Sequence, residues 1–380
     1  MKRMKQFKNA IRQIHLWLGL GTGLVVFIIS VTGCLYVFEE EIRDFTQKEY
    51  KYVPVQEKPF IGLDQIIRNF EQLEPKEKIT LIRITESEPN ATVALSSKKK
   101  KVYYFNPYDG QLVNKGAADW LSVVLDIHMT LLLGETGKFI QRWSVVIFVL
   151  MLLTGLVLWF PNQMRLLRQS LSIKWKASFK RVNYDLHNVL GFYASGILIV
   201  VSLSGLYFAF KEVKTGVSFF TGSKLSEGRK EKNVAGTESH EPLASRYNQM
   251  YQSILLQYPG VSSSSISVRK NGEIRLRTMY PYRWARNQNS FFFDEASGQL
   301  LRSKLYKDFN NADFYEATNY DLHTGQLFGW LGKIIACIAS LISASLPVTG
   351  FVIWWKKRKK KKKPAVAKVR YDLSTTNLSV

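Results

Sequence analysis

The sequence predicts a membrane α-helical bundle of four transmembrane helices that carries two α+β domains on its outer face, the whole built as a tandem internal duplication. Three observations predict it: four long apolar runs, basic residues concentrated in segments flanking those runs on one side, and a set of residues recurring at fixed offsets.

The chain has 380 residues, with 53 Lys and Arg against 30 Asp and Glu, a formal charge of +23. Uncharged runs cover 16–38, 143–160, 188–210 and 334–355, against the roughly 20 residues a helix needs to cross about 30 Å of hydrocarbon. The first run follows a basic start, as in a secretory signal, but its apolar part is too long and no small-residue cleavage site follows, so it reads as an uncleaved anchor. Cys34 and Cys337 both lie in apolar runs, about 300 residues apart. That setting excludes a disulfide framework and any cysteine-based zinc or iron–sulfur site.

Short basic segments set the orientation. Residues 1–14, 161–186 and 356–370 hold 21 of the 53 basic residues, and all flank the same side, which places both termini and the 161–186 loop in the cytoplasm. The run 356–363 directly follows a span, so it reads as a topology determinant, and nucleic acid is excluded as a partner. The expected organisation is a cytoplasmic start and first span (1–39), an outer domain (40–118), a lead-in helix and second span (119–160), the basic loop (161–186), a third span (187–210), a second outer domain (211–313), a lead-in and fourth span (314–355), and a basic cytoplasmic tail (356–380). Each outer domain reads as a helix (63–73; 244–258) followed by strands (80–85 and 102–105; 265–268, 274–278 and 290–293). Each closes on a hairpin turn, Phe105-Asn-Pro-Tyr-Asp-Gly-Gln-Leu and Phe293-Asp-Glu-Ala-Ser-Gly-Gln-Leu, where Gly110 and Gly298 can supply a positive φ.

The repeat is the strongest signal. Asp126-Ile-His128, Leu132, Gly134, Gly137-Lys138, Ile140 and Thr154-Gly155 return at an offset of 195 as Asp321-Leu-His323, Leu327, Gly329, Gly332-Lys333, Ile335 and Thr349-Gly350. His15, Gly19, Gly33 and Phe38 return at an offset of 172 as His187, Gly191, Gly205 and Phe210. Two copies, roughly 12–160 and 184–356, then run through the membrane in the same sense, related by a pseudo-two-fold axis along its normal.

Four of the five histidines fall at duplicated positions. His15 and His187 open the first and third spans on the cytoplasmic side; His128 and His323 sit in the apolar lead-ins 120–133 and 320–331 near the outer boundary. His240 lies in a polar stretch and reads as a solvated loop residue. An ionisable side chain at membrane depth is a functional candidate by default, and two neutral imidazoles facing each other across a two-fold axis have the geometry of axial haem ligands. No span holds two histidines spaced to serve one helix, so any ligation runs between helices. The alternatives are interfacial hydrogen bonding at helix ends and a non-haem metal, although zinc wants three or four protein ligands. Asp126, Asp185 and Asp321 each precede a histidine by two residues and read as N-caps or charge partners. Arg12 and Arg142 are candidates for propionate pairing, with an ordinary interfacial basic residue as the equal alternative for each. Gly19-Leu-Gly-Thr-Gly and Gly134-Glu-Thr-Gly-Lys138 lack the strand context and length of phosphate-cradling loops. The clusters at 98–101 and at Tyr282, Arg283 and Arg286 are candidate contacts for an anionic ligand, with plain solvated charge as the competing reading.

The hairpin turns ending Asp109-Gly-Gln-Leu and Ser297-Gly-Gln-Leu, the His15-Leu-Trp-Leu-Gly opening, the two Asp-X-His boxes and Thr154-Gly-Leu-Val-Leu-Trp159 resemble the PepSY-associated transmembrane family of bacterial, often iron-regulated, inner-membrane proteins, over about 10–356. The resemblance implies PepSY-like outer domains in the periplasm and a haem-dependent reductase of ferric siderophores or other iron chelates. By matching positions it implies two b-type haems, one held by His15 and His187 and one by His128 and His323, fed by a cytoplasmic electron donor. The family's range leaves two other readings: a sensor or protease-regulating module that binds peptide, and an iron-chelate permease.

Overall fold

The computed structural model describes residues 2–99, 101–115, 120–161, 163–230, 241–269, 272–282 and 286–361. Among the described residues four helices are long and apolar enough to cross a membrane: Arg3–Tyr36, Gly134–Trp159, Phe179–Ala209 and Gln326–Arg358. Each overruns the uncharged stretch that predicts it, because a nucleated helix propagates readily through flanking Lys, Arg and Gln. The chain is a multi-pass membrane protein with a separate sheet-rich region.

In chain order the first half gives α1 (Lys2–Tyr36), α2 (Leu63–Leu73), β1 (Ile79–Ile84), β2 (Val93–Ser97), β3 (Val102–Phe105), β4 (Leu112–Lys115), α3 (Trp120–Thr130) and α4 (Gly134–Trp159). The second half has the same order with one added short strand. It gives α5 (Phe179–Ala209), β5 (Arg229–Lys230), α6 (Leu243–Gln257), β6 (Ser263–Val268), β7 (Glu273–Met279), β8 (Gln288–Asp294), β9 (Leu300–Lys304), α7 (Asn311–Thr324) and α8 (Gly329–Lys361).

In the bundle α1 packs on α4 and α8, and α5 packs on the same two helices. Val26, Phe148, Leu152, Ala194, Leu198 and Ala339 fill its middle with buried apolar side chains. The α1–α8 seam is close because small residues line it. A Cβ on Gly23 would sit 3.2 Å from Pro347 Cβ, Ser30 Oγ donates to Ser343 Oγ at 2.9 Å, and the Sγ atoms of Cys34 and Cys337 are 2.8 Å apart. Separation along the chain is no obstacle to contact when the first and last helices are neighbours, and the two thiols, both free, stand side by side. Where α3 gives way to α4, a Cβ on Gly137 would fall 1.7 Å from the Thr130 carbonyl oxygen, and Gly332 stands in the same relation to Gly325 at 2.1 Å. Only glycine lets these helices start beneath the lead-ins.

Among the described residues the strands form one nine-stranded sheet in the order β4-β3-β2-β1-β6-β7-β8-β9-β5. The two strand-bearing regions, separate domains in the sequence reading, join through β1 and β6, with Ile82 opposite Ile266. That pairing removes two open edges. Helices α2 and α6 cover one face over a single core that includes Ile66, Phe70, Leu95, Tyr247, Ile266 and Phe291. The final hairpins turn at Gly110, φ +68, and Gly298, φ +74, as their sequence motifs require.

Candidate functional site

Each of the four histidines is held by a neighbouring helix in the same way. His128 Nδ1 lies 2.9 Å from the Ile29 carbonyl oxygen and 3.2 Å from Thr32 Oγ1 of α1. His323 Nδ1 lies 3.0 Å from both the Val201 carbonyl and Ser204 Oγ of α5. His187 Nδ1 lies 3.1 Å from the Leu346 carbonyl and 2.9 Å from Thr349 Oγ1 of α8. His15 Nδ1 is 2.9 Å from Thr154 Oγ1 of α4, with the Met151 backbone also bonded to the ring. The receptor is therefore always a Thr or Ser hydroxyl and the backbone three residues before it.

That pattern fixes the tautomer. The hydroxyl hydrogens of Thr32, Thr154, Ser204 and Thr349 already go to carbonyls of their own helices, so the hydroxyl oxygens can only accept, and Nδ1 must carry the proton it donates. The other ring nitrogen, Nε2, keeps its lone pair. The residue after each hydroxyl is glycine, and the ring fills the space a side chain would take. A Cβ would lie from the histidine Cε1 at 3.1 Å for Gly33 and His128, 3.4 Å for Gly155 and His15, 3.0 Å for Gly205 and His323, and 3.2 Å for Gly350 and His187.

So held, the rings meet in twos. His15 and His187 have ring centres 6.4 Å apart with planes at 86°, and His128 and His323 have centres 6.2 Å apart at 62°. An iron gripped from both sides by imidazoles at about 2.0 Å, with about 1.1 Å from nitrogen to ring centre, puts the centres roughly 6.2 Å apart. Gly33, which touches His128, lies 18 residues beyond His15 on α1, so the two pairs stand about 27 Å apart along the helix at 1.5 Å per residue. A cavity of about 1520 Å³ surrounds the first pair, lined by Gly19, Gly191 and Gly350 as well as His15 and His187. It has room for a planar macrocycle between the rings, and both donor sets fit a bis-imidazole haem. Among the described residues no cluster of three or more His, Cys, Asp or Glu could hold a bare metal ion.

Of the other candidates, Arg12 lines the same cavity. Arg142 lies at the opposite end of the bundle between Phe139 and Phe210, 5.6 Å from each ring, with its Nε buried and unbonded. Asp185 pairs with Arg181 at 2.9 Å and Asp321 with Arg286 at 2.7 Å, which makes both charge partners within helices rather than N-caps. Lys99 pairs with Glu77. His240, Lys100, Arg283 and the tail from 362 onward lie outside the described residues.

The sequence reading treats Gly33, Gly205, Thr154-Gly155 and Thr349-Gly350 as markers of a repeat and misses their role as receptors. The signal is the dipeptide at matched positions of the repeat: Thr32-Gly33 and Ser204-Gly205 stand 172 residues apart and Thr154-Gly155 and Thr349-Gly350 stand 195 apart, whereas Thr22-Gly23 and Ser195-Gly196 in the same helices receive no histidine. The π-helical turn at Leu186–Leu190, which carries His187, has no such signal.

Four membrane helices, a sheet-rich region beyond them and two histidine pairs at separate depths define a multi-pass membrane protein with inter-helical imidazole sites. The chain belongs to the PepSY-associated TM region family, whose sequence profile matches residues 12–357. No curated protein sequence matches it.

Proposed function

We propose that the protein is a di-haem transmembrane electron-transfer protein that reduces a ferric chelate, a siderophore complex above all, with electrons from a cytoplasmic donor. The observation that carries this reading is the geometry of the imidazoles: two pairs with ring centres 6.4 and 6.2 Å apart, each ring locked through Nδ1 so that Nε2 is the free donor. His15 and His187 hold one b-type haem and His128 and His323 the other, and these groups supply one-electron redox chemistry when bound. The chain's own part is orientation and exclusion. The Thr and Ser hydroxyls and helix carbonyls aim the rings and raise their basicity, the glycines admit them, and the Val26–Phe148–Leu198 layer keeps water from the space between the pairs. Reduction of Fe(III) loosens its hold on hard oxygen ligands, which gives the reaction its use in iron acquisition.

The same reading takes the two halves as tandem copies related by a two-fold axis along the membrane normal. It places the protein in the bacterial inner membrane with both termini cytoplasmic and the sheet in the periplasm. Support comes from the basic flanks at 1–14 and 161–186 and from the pairing of each histidine with its counterpart one half-chain away.

Protein purified in detergent after haem-replete expression tests the reading. It is expected to show a Soret band and, on dithionite addition, the sharp α and β bands of six-coordinate haem; His323→Ala is expected to lose about half of that absorbance. A colourless preparation would favour a membrane-anchored sensor instead.

A further inference from the structure

Residues directly opposite in an antiparallel sheet point to the same face. On the face away from α2 and α6, register places Arg83, Ser265, Arg277, Ser290 and Lys304 in one row. Leu81, Ser267, Arg275, Phe292 and Arg302 form the next. This face looks toward α7 and the short helices that follow α1, and both of its flanks are covered. On one flank Tyr104 packs against Tyr50 with ring centres 4.7 Å apart and planes tilted at 56°, and donates to Gln47 at 3.0 Å. On the other, Lys304 pairs with Asp313 at 2.7 Å and Arg302 with Glu273 at 2.9 Å.

The middle is different. Among the described residues Arg83, Arg275 and Arg277 form no ion pair, and the Nε atoms of Arg275 and Arg277 are buried without a hydrogen-bond partner. Burial and the charges of Arg275 and Arg286 push the Arg277 guanidinium down to about 10, opposed only by Glu316. Register sets the small side chains of Ser265, Ser267 and Ser290 beside the arginines, whose planar guanidinium donors match the two oxygens of a carboxylate or catecholate. The slot lies on the seam where β1 meets β6. It also lies toward the outer histidine pair: Arg286, near enough for its charge to bear on Arg277, bonds Asp321 at 2.7 Å, two residues before His323.

We propose that this central slot binds the iron chelate and selects complexes that present anionic oxygens, carboxylate or catecholate, over charge-neutral ones. The inference rests on the reductase reading for the identity of its ligand. The choice of a chelate over a lipid phosphate follows from the position of the slot between the two covered flanks and above His128 and His323.

Gallium(III) citrate, which has the charge and coordination of the ferric complex but does not accept an electron, is the probe. Calorimetric titration of the full-length protein in zwitterionic nanodiscs is expected to show binding that weakens at least tenfold in Arg83→Gln/Arg277→Gln, less in Arg277→Lys, and not at all in the surface variant Lys58→Gln. A charge-neutral gallium trihydroxamate is expected to bind at least tenfold more weakly than the citrate complex. Equal binding by wild type and the double variant, equal affinity for the two gallium complexes, or no binding would overturn the proposal; so would loss of citrate binding in nanodiscs rich in phosphatidylglycerol, which would give the slot to a lipid headgroup. The readout involves no electron transfer, so its failure leaves the histidine reading intact, and a colourless protein that still bound gallium would fail only the latter.

Discussion

Each imidazole is aimed by two acceptors and one missing side chain, and these parts can be tested one at a time. In Thr349→Val, His187 Nδ1 keeps the Leu346 carbonyl but loses the hydroxyl, a hydrogen bond of about 1 kcal/mol. The haem is expected to stay, with a midpoint potential raised because the imidazole is less basic; spectroelectrochemical titration reads the shift. Gly205→Val is more severe, since its Cβ alone would sit 3.0 Å from His323 Cε1. It is expected to remove the outer pigment and spare the inner one, and retention of both would contradict the role given to the glycine. A further residue-scale test lies in the sheet. Burial holds the Glu86 carboxyl above its ordinary value, and its Oε2 is buried without a partner, although Tyr251 donates to Oε1 at 3.0 Å. The folded state therefore keeps this proton to higher pH than the unfolded chain, so stability falls as pH rises from the ordinary carboxylate range near 4.3 through the raised value. Glu86→Gln is expected to flatten that fall, seen as a smaller change in unfolding temperature between pH 4 and pH 7.

Individual elements differ in how legible they are. The membrane helices are plain in the sequence because a long uncharged run has few other uses. Helix α2 is too, because Leu63, Ile66, Ile67 and Phe70 share one face. Strand β2 escapes notice: only Val93 and Leu95 mark an inward face, and the residues between and after them are Ala and Ser. The joining of β1 to β6 is equally hidden, because edge pairing between regions some 180 residues apart leaves no local pattern. The histidines stand out by recurrence, but their receptors do not, since Thr-Gly in an apolar run also serves ordinary helix packing. The α1–α8 contact makes its own prediction. Diamide treatment of membranes is expected to join Cys34 to Cys337, leaving no thiol for maleimide under denaturing conditions until dithiothreitol is added, whereas Cys34→Ser keeps one reactive thiol throughout. Two freely reactive thiols after oxidation would show that the first and last helices are not neighbours there.

At the scale of the molecule the two halves divide one task. Each lends one histidine and one receptor to every site's surroundings: α1 supplies His15 and receives His128, while α5 supplies His187 and receives His323. Neither half can complete a pair alone. The basic flanks predict the sidedness of the whole, and a reporter active only in the cytoplasm is expected to work when fused at either terminus and to fail when inserted beside the exposed Lys58.

Pyridine-haemochrome stoichiometry across three proteins reads whether each imidazole pair grips one haem. The expected result is two haems per chain in the wild type, one in His15→Ala and one in His128→Ala. Wild-type protein with no haem, or a stoichiometry unchanged by both substitutions, would contradict it.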